Sequence, residues 1–366
     1  MSAELLKTPL HAWHAAHGGR LVDFAGWSMP VQYSSIVEEH QACRTAAALF
    51  DVSHMGRLFF EGPGAEAFLD RILTRKVAGL APGKIRYSLV CNESGGILDD
   101  VLIYHVIAIA GPPYWLLVVN ASNRAKILAW INQQLPSDVK LTDRTTQTAM
   151  IAVQGPQALG IVSRHLGIPL ADMAYYTSVT SLLEGMPAIV SRTGYTGEDG
   201  CEVILEAAHA HHLWNLLASE GVRPAGLAAR DTLRLEAAMP LYGHELSESI
   251  NPYQAGLEFA VTLIGRDFVG KAALERLKQD DKQPRRVGLT LTGRRIPREH
   301  YGVLAGDQRI GEITSGTFSP TLNKPIAMAY VQPSFAAVGS QLAIDIRGSR
   351  EPCEVVLLPF YQRATG

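Results

Sequence analysis

Two adjacent carboxylates, Asp99 and Asp100, close the stretch Asn92-Glu-Ser-Gly-Gly-Ile-Leu-Asp-Asp-Val101. A carboxylate near an amine can take its proton or stabilise positive charge that develops there. Successive side chains of a strand point to opposite faces, so the two cannot aim the same way. If one is solvated, the other faces the interior, and an inward carboxylate needs a partner or a ligand because leaving it unpaired costs several kcal/mol, roughly. A structural role, as turn cap or ion pair, and a functional role are both open at this level.

Other polar groups stand where a ligand could use them. Glu202 follows the glycine-rich loop Thr193-Gly-Tyr-Thr-Gly-Glu-Asp-Gly200 on the strand Cys201-Glu-Val-Ile-Leu-Glu206. Cys201, Val203 and Leu205 share one face of it, and Glu202 projects to the other with Ile204. A carboxylate there can accept two parallel N–H bonds from the amide-and-amine edge of a guanine or a pterin. The plainer reading is an exposed strand charge. Arg230 and Arg234 lie one helical turn apart, and both can be explained by ion pairs with Asp231 or Glu236. Tyr87, Tyr175, Tyr195 and Tyr361 could cover a flat ligand or serve as ordinary core and rim residues. His54 has no second metal ligand at a recognisable spacing, so it reads as a hydrogen-bonding structural residue and not a zinc ligand.

The elements that must position these groups follow an α+β pattern with an all-β tail. Ser35 and Glu38 form a capping box that opens a helix through about residue 47, and the segment from Pro63 to Leu73 carries apolar groups at helical spacing. Ile85-Arg-Tyr-Ser-Leu-Val-Cys91 and the segment from Val101 to Ile107 flank the Asn-Ser-Gly-Gly turn as a β-hairpin. A strand from Tyr114 to Asn120 leads into a helix from Ser122 to Leu135, and Thr148–Gln154 opens another strand-to-helix unit. Strands are expected near 186–192 and 201–206, and helices over 208–220 and 228–239. The hydrophilic run from Lys278 to Arg286 reads as a linker. Beyond it, short segments between Gly and Pro turns predict a small β-barrel or sandwich. There is no internal repeat.

Composition excludes several classes. A chain of 366 residues exceeds one ordinary core, so two or three domains are expected. The net charge of −2 and the lack of a basic stripe interleaved with aromatics argue against a nucleic-acid binder. Cys43, Cys91, Cys201 and Cys353 are far apart, which fits reduced thiols better than a zinc ribbon or a disulfide framework. No apolar run reaches membrane-spanning length, and the segment from Met1 to Leu10 resembles neither a signal peptide nor a transit segment. A cytoplasmic protein without a membrane partner is the expectation.

Seven motifs recur in a characteristic order: Val22-Asp-Phe-Ala-Gly-Trp-Ser-Met-Pro30, Leu49-Phe-Asp-Val-Ser-His-Met-Gly56, Gly95-Gly-Ile-Leu-Asp-Asp100, Ser191-Arg-Thr-Gly-Tyr-Thr-Gly-Glu-Asp-Gly200, the stretch from Arg223 to Glu236, Asp267-Phe-Val-Gly-Lys271 and Gly311-Glu-Ile-Thr-Ser-Gly-Thr-Phe-Ser-Pro320. None is decisive alone. Over nearly the whole chain they resemble the aminomethyltransferase, or T-protein, family of the glycine cleavage system. That resemblance implies a three-domain, cloverleaf-like α+β fold. Residues 1–50 with 140–277 would form a discontinuous folate-binding domain, 51–139 an inserted domain carrying the Asp99-Asp100 hairpin, and 284–366 the C-terminal β-barrel.

The same resemblance implies a transferase of glycine catabolism and one-carbon metabolism. It would convert an aminomethyl group on the dihydrolipoyl arm of the H-protein, with tetrahydrofolate, to 5,10-methylenetetrahydrofolate, ammonia and dihydrolipoyl H-protein. The P- and L-proteins would be looser partners, and no metal is implied. Asp100 falls at the catalytic position. Glu202 and Asn120 fall at positions that hold the pterin, Arg230 at another folate contact, and Tyr87, Tyr175 and Tyr195 at positions lining the folate. Met55 would lie near the channel and Tyr361 on the C-terminal segment approaching it. Phe259 stands where many relatives have Trp, a change that reads as repacking of the core. Two alternatives share the fold: a folate-dependent demethylase of a small methylated substrate, and a non-catalytic folate-binding iron–sulfur maintenance protein. The latter typically carries a Lys-Gly-Cys-Tyr-type motif, which is absent here.

Overall fold

The computed structural model describes residues 4–363 and divides into two units. The first holds residues up to Asp70, Val77–Ser88 and Asp100–Arg230; the second holds Arg71–Lys76, Leu89–Asp99 and the chain from Asp231 onward. The fold is mixed α+β with a closed six-stranded barrel at its C-terminal end.

A six-stranded sheet runs in the order Ser178–Leu183, Met186–Ser191, Gly200–Glu206, Thr148–Gln154, Ala48–Asp51 and Arg223–Pro224. Its pairs are antiparallel except the last, where Arg223 and Pro224 pair parallel with Ala48 and Leu49. Cys201, Val203 and Leu205 pack into one core with Ile151, Val153, Leu49 and the apolar stripes of the helices Ala158–Leu166 and Ala210–Ser219. That is the face expected from alternation, and it sends Glu202 to the other side. Half of the capping box forms: Ser35 Oγ accepts from the Glu38 N–H at 3.2 Å at the start of the helix Ile36–Thr45, while it is Glu39, not Glu38, that turns back to accept from the N–H groups of Tyr33 and Ser34. Ser35→Ala should therefore destabilise the first unit by about 1 kcal/mol, read as an earlier urea midpoint.

The second sheet has the order Ile85–Cys91, Ile97–Val106, Tyr114–Val119, Gly56–Glu61 and Lys140–Asp143. Its hairpin turn is locally encoded. Asn92 Oδ1 accepts from the N–H groups of Ser94 and Gly96 and from Ser94 Oγ, an Asx turn, while Gly95 takes a φ of +87° that a side chain would strain. In the second unit the barrel closes in the order Arg285–Leu291, Lys324–Val331, Gln308–Ser319, Gly302–Ala305, Gln341–Ile346 and Ser349–Val356. Val287, Leu289 and Leu291 alternate into its core with Val303, Ile313 and Ile344.

Three expectations need correction. The helix expected from Ser122 begins as a 3-10 turn at Ala121–Asn123 and continues only over Arg124–Asn132. The hydrophilic run ends earlier than expected, since Arg285 and Arg286 already pair in the barrel. Phe259 is 57% exposed, so it repacks no core. The Val22 to Pro30 motif forms the hairpin of Arg20–Phe24 and Trp27–Gln32. The four cysteines are buried, and none forms a disulfide. Among the described residues no helix is long and apolar enough to cross a membrane, and no group of three His, Cys, Asp or Glu is placed to hold a metal ion.

Candidate active site

Asp100 leaves the hairpin in the first unit, partly buried, whereas Asp99 beside it is fully buried. Tyr87, on the opposing strand, donates its hydroxyl to Asp100 Oδ2 at 3.1 Å. Asn120 donates Nδ2 to Asp100 Oδ1 at 2.7 Å and to the Asp100 carbonyl at 3.1 Å. Asn120 occupies the N-cap position of the 3-10 turn, where Asn ordinarily caps through its side chain. Here it makes no capping bond, because the amide is turned onto Asp100. Both carboxylate oxygens are thus held by residues that the resemblance assigns to the ligand.

Burial pushes the Asp100 pKa up to about 6, against the two hydrogen bonds that favour the ionised form. A carboxylate with that pKa is ionised at neutral pH yet basic enough to take a proton from an amine. Turnover should therefore fall as pH drops through about 6, where Asp100 becomes protonated. A pH–rate profile with its acid limb at the ordinary carboxylate value would contradict this. The Tyr87 hydroxyl is pushed far up by burial and then by Asp100, with smaller contributions from Tyr195 and Tyr176. Tyr87 thus remains a donor, and Tyr195 lies close enough to be felt.

A second cluster gathers around Glu202. The side chain is only 5% exposed, which removes the reading of a solvated strand charge. Its Oε2 accepts from Thr193 Oγ1 at 2.5 Å, and among the described residues no donor reaches Oε1. Burial raises the Glu202 pKa, while the Thr193 bond and the Arg230 charge pull it down. Arg230, from the helix Leu227–Glu236, lays its guanidinium 4.8 Å from the centre of the Tyr195 ring. Its Nη1 is buried without a hydrogen-bond partner among the described residues. Arg234 does form the expected pair with Asp231, at 2.7 Å, whereas Arg230 pairs with neither Asp231 nor Glu236. A carboxylate oxygen that no protein donor reaches and a buried guanidinium arm without a partner are groups that a polar, planar ligand can satisfy.

The loop carrying Tyr195 is pinned from three sides. Gln154, fully buried, donates to the carbonyls of Thr193 and Cys201 and accepts from Thr196 Oγ1. Arg44 pairs with Glu198 at 3.0 Å, and Arg192 with Asp199 at 2.5 Å. Gly194 passes so close to Gln154 that a Cβ would lie 2.0 Å from Oε1, so a side chain there cannot be accommodated without moving the loop. Tyr175 is 38% exposed, with its hydroxyl 3.5 Å from the Gly194 carbonyl. Met55 is half-buried in a loop whose carbonyls bind the buried Arg57: Nη1 donates to Met55 O at 2.5 Å and Nη2 to Ser53 O at 3.1 Å.

Tyr361 lies in the second unit, where its N–H donates to the Glu236 carbonyl at 2.8 Å. His54 differs from expectation. It is buried edge-on to Phe24, and its Nδ1 has no hydrogen-bond partner among the described residues. Burial holds its pKa down to about 3, opposed by Asp51 and aided by Arg230 and Arg57, so the ring is neutral. Sequence reasoning missed Thr193, Ser191 and Tyr104. A signal existed for one of them: Tyr104 stands four residues from Asp100 on one strand and so shares its face.

Residues 10–264 match the GCVT N-terminal domain, and residues 285–362 match the glycine cleavage T-protein C-terminal barrel domain. An aminomethyltransferase of Geobacillus kaustophilus is 46% identical over 98% of this chain and 100% of its own length, and one of Synechococcus elongatus is 44% identical over 99% and 98%. The crystal structure of the glycine cleavage system aminomethyltransferase T from Bartonella henselae, 33% identical, superposes over 98% of each chain with a TM-score of 0.90. Fold and relatives define an enzyme that transfers a one-carbon unit. The chain belongs to the glycine cleavage T-protein family.

Proposed function

We propose that the enzyme uses tetrahydrofolate as acceptor and the aminomethylated dihydrolipoyl arm of the H-protein as donor, working in the cytoplasm with the glycine cleavage system. The observation that carries this reading is the pairing, within one unit, of a doubly held Asp100 carboxylate with the buried Glu202 carboxylate, whose Oε1 no protein donor reaches among the described residues. The reduced pterin of tetrahydrofolate presents adjacent N–H donors to a carboxylate, and its N5 together with N10 beside the ring supplies the nitrogens that the one-carbon unit comes to bridge.

The protein groups then divide the work. Glu202 accepts from the pterin edge, and the free Nη1 of Arg230 offers a donor to an acceptor on the same ligand. Tyr195, Tyr175 and Met55 cover the ligand and keep water from the transferred carbon. Asp100, oriented by Tyr87 and Asn120, accepts the proton of the attacking amine and stabilises positive charge as ammonia leaves. Tyr87 and Asn120 thereby act first on Asp100, a closer role than lining the folate.

The division into 1–50 with 140–277, 51–139 and 284–366 belongs to the same proposal. The sheets support it in outline: one draws its strands from 48–51 and 148–224 and the barrel from 285–356, while the other, drawn from 56–143, includes Lys140–Asp143 and so moves the boundary at 139 past residue 143. The test is a coupled assay in which aminomethylated H-protein and tetrahydrofolate are supplied and 5,10-methylenetetrahydrofolate is followed through an added dehydrogenase. Product that requires both substrates is expected. Folate binding without product from the H-protein, but with product from a small methylated amine, would replace this reading with that of a demethylase.

A further inference from the structure

Glu202 is reached by an ordered file of buried hydroxyls. Tyr104 Oη lies 3.4 Å from Ser191 Oγ, Ser191 Oγ lies 2.8 Å from Thr193 Oγ1, and Thr193 Oγ1 lies 2.5 Å from Glu202 Oε2. Their exposures are 0%, 1%, 1% and 5%, so solvent does not replace any of these bonds. The file joins three segments of the first unit: the hairpin strand Ile97–Val106, the strand Met186–Ser191 with its following residues, and the strand Gly200–Glu206.

Each hydroxyl owns one proton, and that fixes the direction of the file. An ionised carboxylate can only accept, so Thr193 gives its proton to Glu202. Thr193 Oγ1 can then only accept from Ser191. Ser191 has two acceptors for its one proton, Thr193 Oγ1 at 2.8 Å and the Glu202 carbonyl at 3.2 Å, and Tyr104 donates to Ser191. All donors point toward Glu202 when it is ionised. A protonated Glu202 that donates to Thr193 would have to turn the file around.

We propose that Thr193 is the positioning residue that sets the ligand class of this site: it holds Glu202 as an acceptor-only carboxylate with Oε1 presented to adjacent N–H donors of a planar heterocycle. This rests on the folate reading given above and deepens it. The groups facing Glu202 are consistent with that role. Arg230 brings a positive charge from the helix Leu227–Glu236, while Tyr104, pushed up by burial, stays a neutral donor. Burial opposes ionisation of Glu202 and leaves its pKa raised, and Thr193 and Arg230 are the two groups that work against that rise. The consequence is selectivity. A heterocycle that offers a carbonyl in place of one N–H meets a second acceptor and is rejected, because two facing acceptors cannot share a proton.

The experiment is equilibrium binding of tetrahydrofolate and of its stable 5-formyl derivative between pH 5.5 and 8, with wild type, Thr193→Val, Thr193→Ser and Tyr104→Phe. Thr193→Val should weaken binding by roughly tenfold or more at pH 7, the scale of losing a donor to a charged group. Its binding should also fall off at a higher pH than that of wild type, because Glu202 without Thr193 takes up a proton more readily. Thr193→Ser, which keeps the hydroxyl, should bind like wild type, and Tyr104→Phe should show a smaller loss of the same kind. In turnover, the loss should fall on KM for tetrahydrofolate and not on kcat. Thr193→Val binding within twofold of wild type with an unchanged pH profile would overturn the inference while leaving the folate reading intact. Failure of wild type to bind either folate would remove the folate reading itself, and this inference with it.

Discussion

Asp100→Asn should lower turnover by about 100-fold or more while tetrahydrofolate still binds, the scale of losing a positioned general base. The substitution keeps the size of the side chain and its acceptor oxygen toward Asn120 Nδ2, and its new amide can donate to Tyr87. What it removes is the negative charge and the ability to take a proton. The pH dependence should change with it. The acid limb near pH 6, which belongs to Asp100, should be missing from the residual activity of the variant. Stability should move the other way. A folded-state pKa of about 6, above the ordinary carboxylate value of 3.8, means that the folded protein binds this proton more tightly than the unfolded chain. The stabilisation that this proton brings is present at pH values below 3.8 and is lost as pH rises through about 6. Asp100→Asn should therefore be at least as stable as wild type at neutral pH, with its advantage vanishing under acid conditions. A thermal melt at pH 7.5 and at pH 4 reads this directly. A variant both inactive and unstable at neutral pH would mean that the residue holds the hairpin and does no chemistry.

Glu202→Ala should act first on binding, raising the dissociation constant for tetrahydrofolate by roughly 100-fold, as expected for losing paired bonds to a charged acceptor. Two things are lost at once: the acceptor for the pterin edge, and the anion that offsets the buried Arg230 charge. Truncation leaves Thr193 without its acceptor and Arg230 with less compensation, so part of the loss comes from reorganisation around the site. Glu202→Gln separates these contributions. It restores shape and one acceptor but adds an NH2 group that must face either Thr193 or the pterin donors, so it should recover less than half of the lost binding free energy. Full recovery by Gln would mean that the charge on Glu202 is unimportant.

The hairpin was legible in the sequence because its determinants are local. Alternation from Ile85 to Cys91 and the Asn92, Ser94, Gly95 and Gly96 turn lie within a dozen residues, and the structure places the first strand at the expected bounds, Ile85–Cys91. The side of the sheet facing the core was legible for the same reason, since Cys201, Val203 and Leu205 alternate into it. What covers the other side was not. Glu202 is buried because Tyr104, Thr193 and Arg230 are brought to it from distant segments, and no spacing within Cys201–Glu206 announces that. His54 shows the same limit. A polar residue in a motif suggested a hydrogen bond, but the packing around it supplies Phe24 and two arginines in place of a partner for Nδ1. Asn120 could be placed at a strand end from sequence. That its amide would serve Asp100 rather than the backbone of the next turn depends on the antiparallel register of the neighbouring strands Ile97–Val106 and Tyr114–Val119, which pairs Leu102 with Val118 and Val106 with Tyr114.

The most direct measurement is a single-turnover reaction of the Asp100→Asn enzyme preloaded with tetrahydrofolate, mixed with aminomethylated H-protein, with folate occupancy determined in the same sample. Occupancy like that of wild type, together with formation of 5,10-methylenetetrahydrofolate slowed by about 100-fold or more, is the predicted result. Product formed at the wild-type rate by the fully occupied variant would contradict the assignment of proton transfer and charge stabilisation to Asp100.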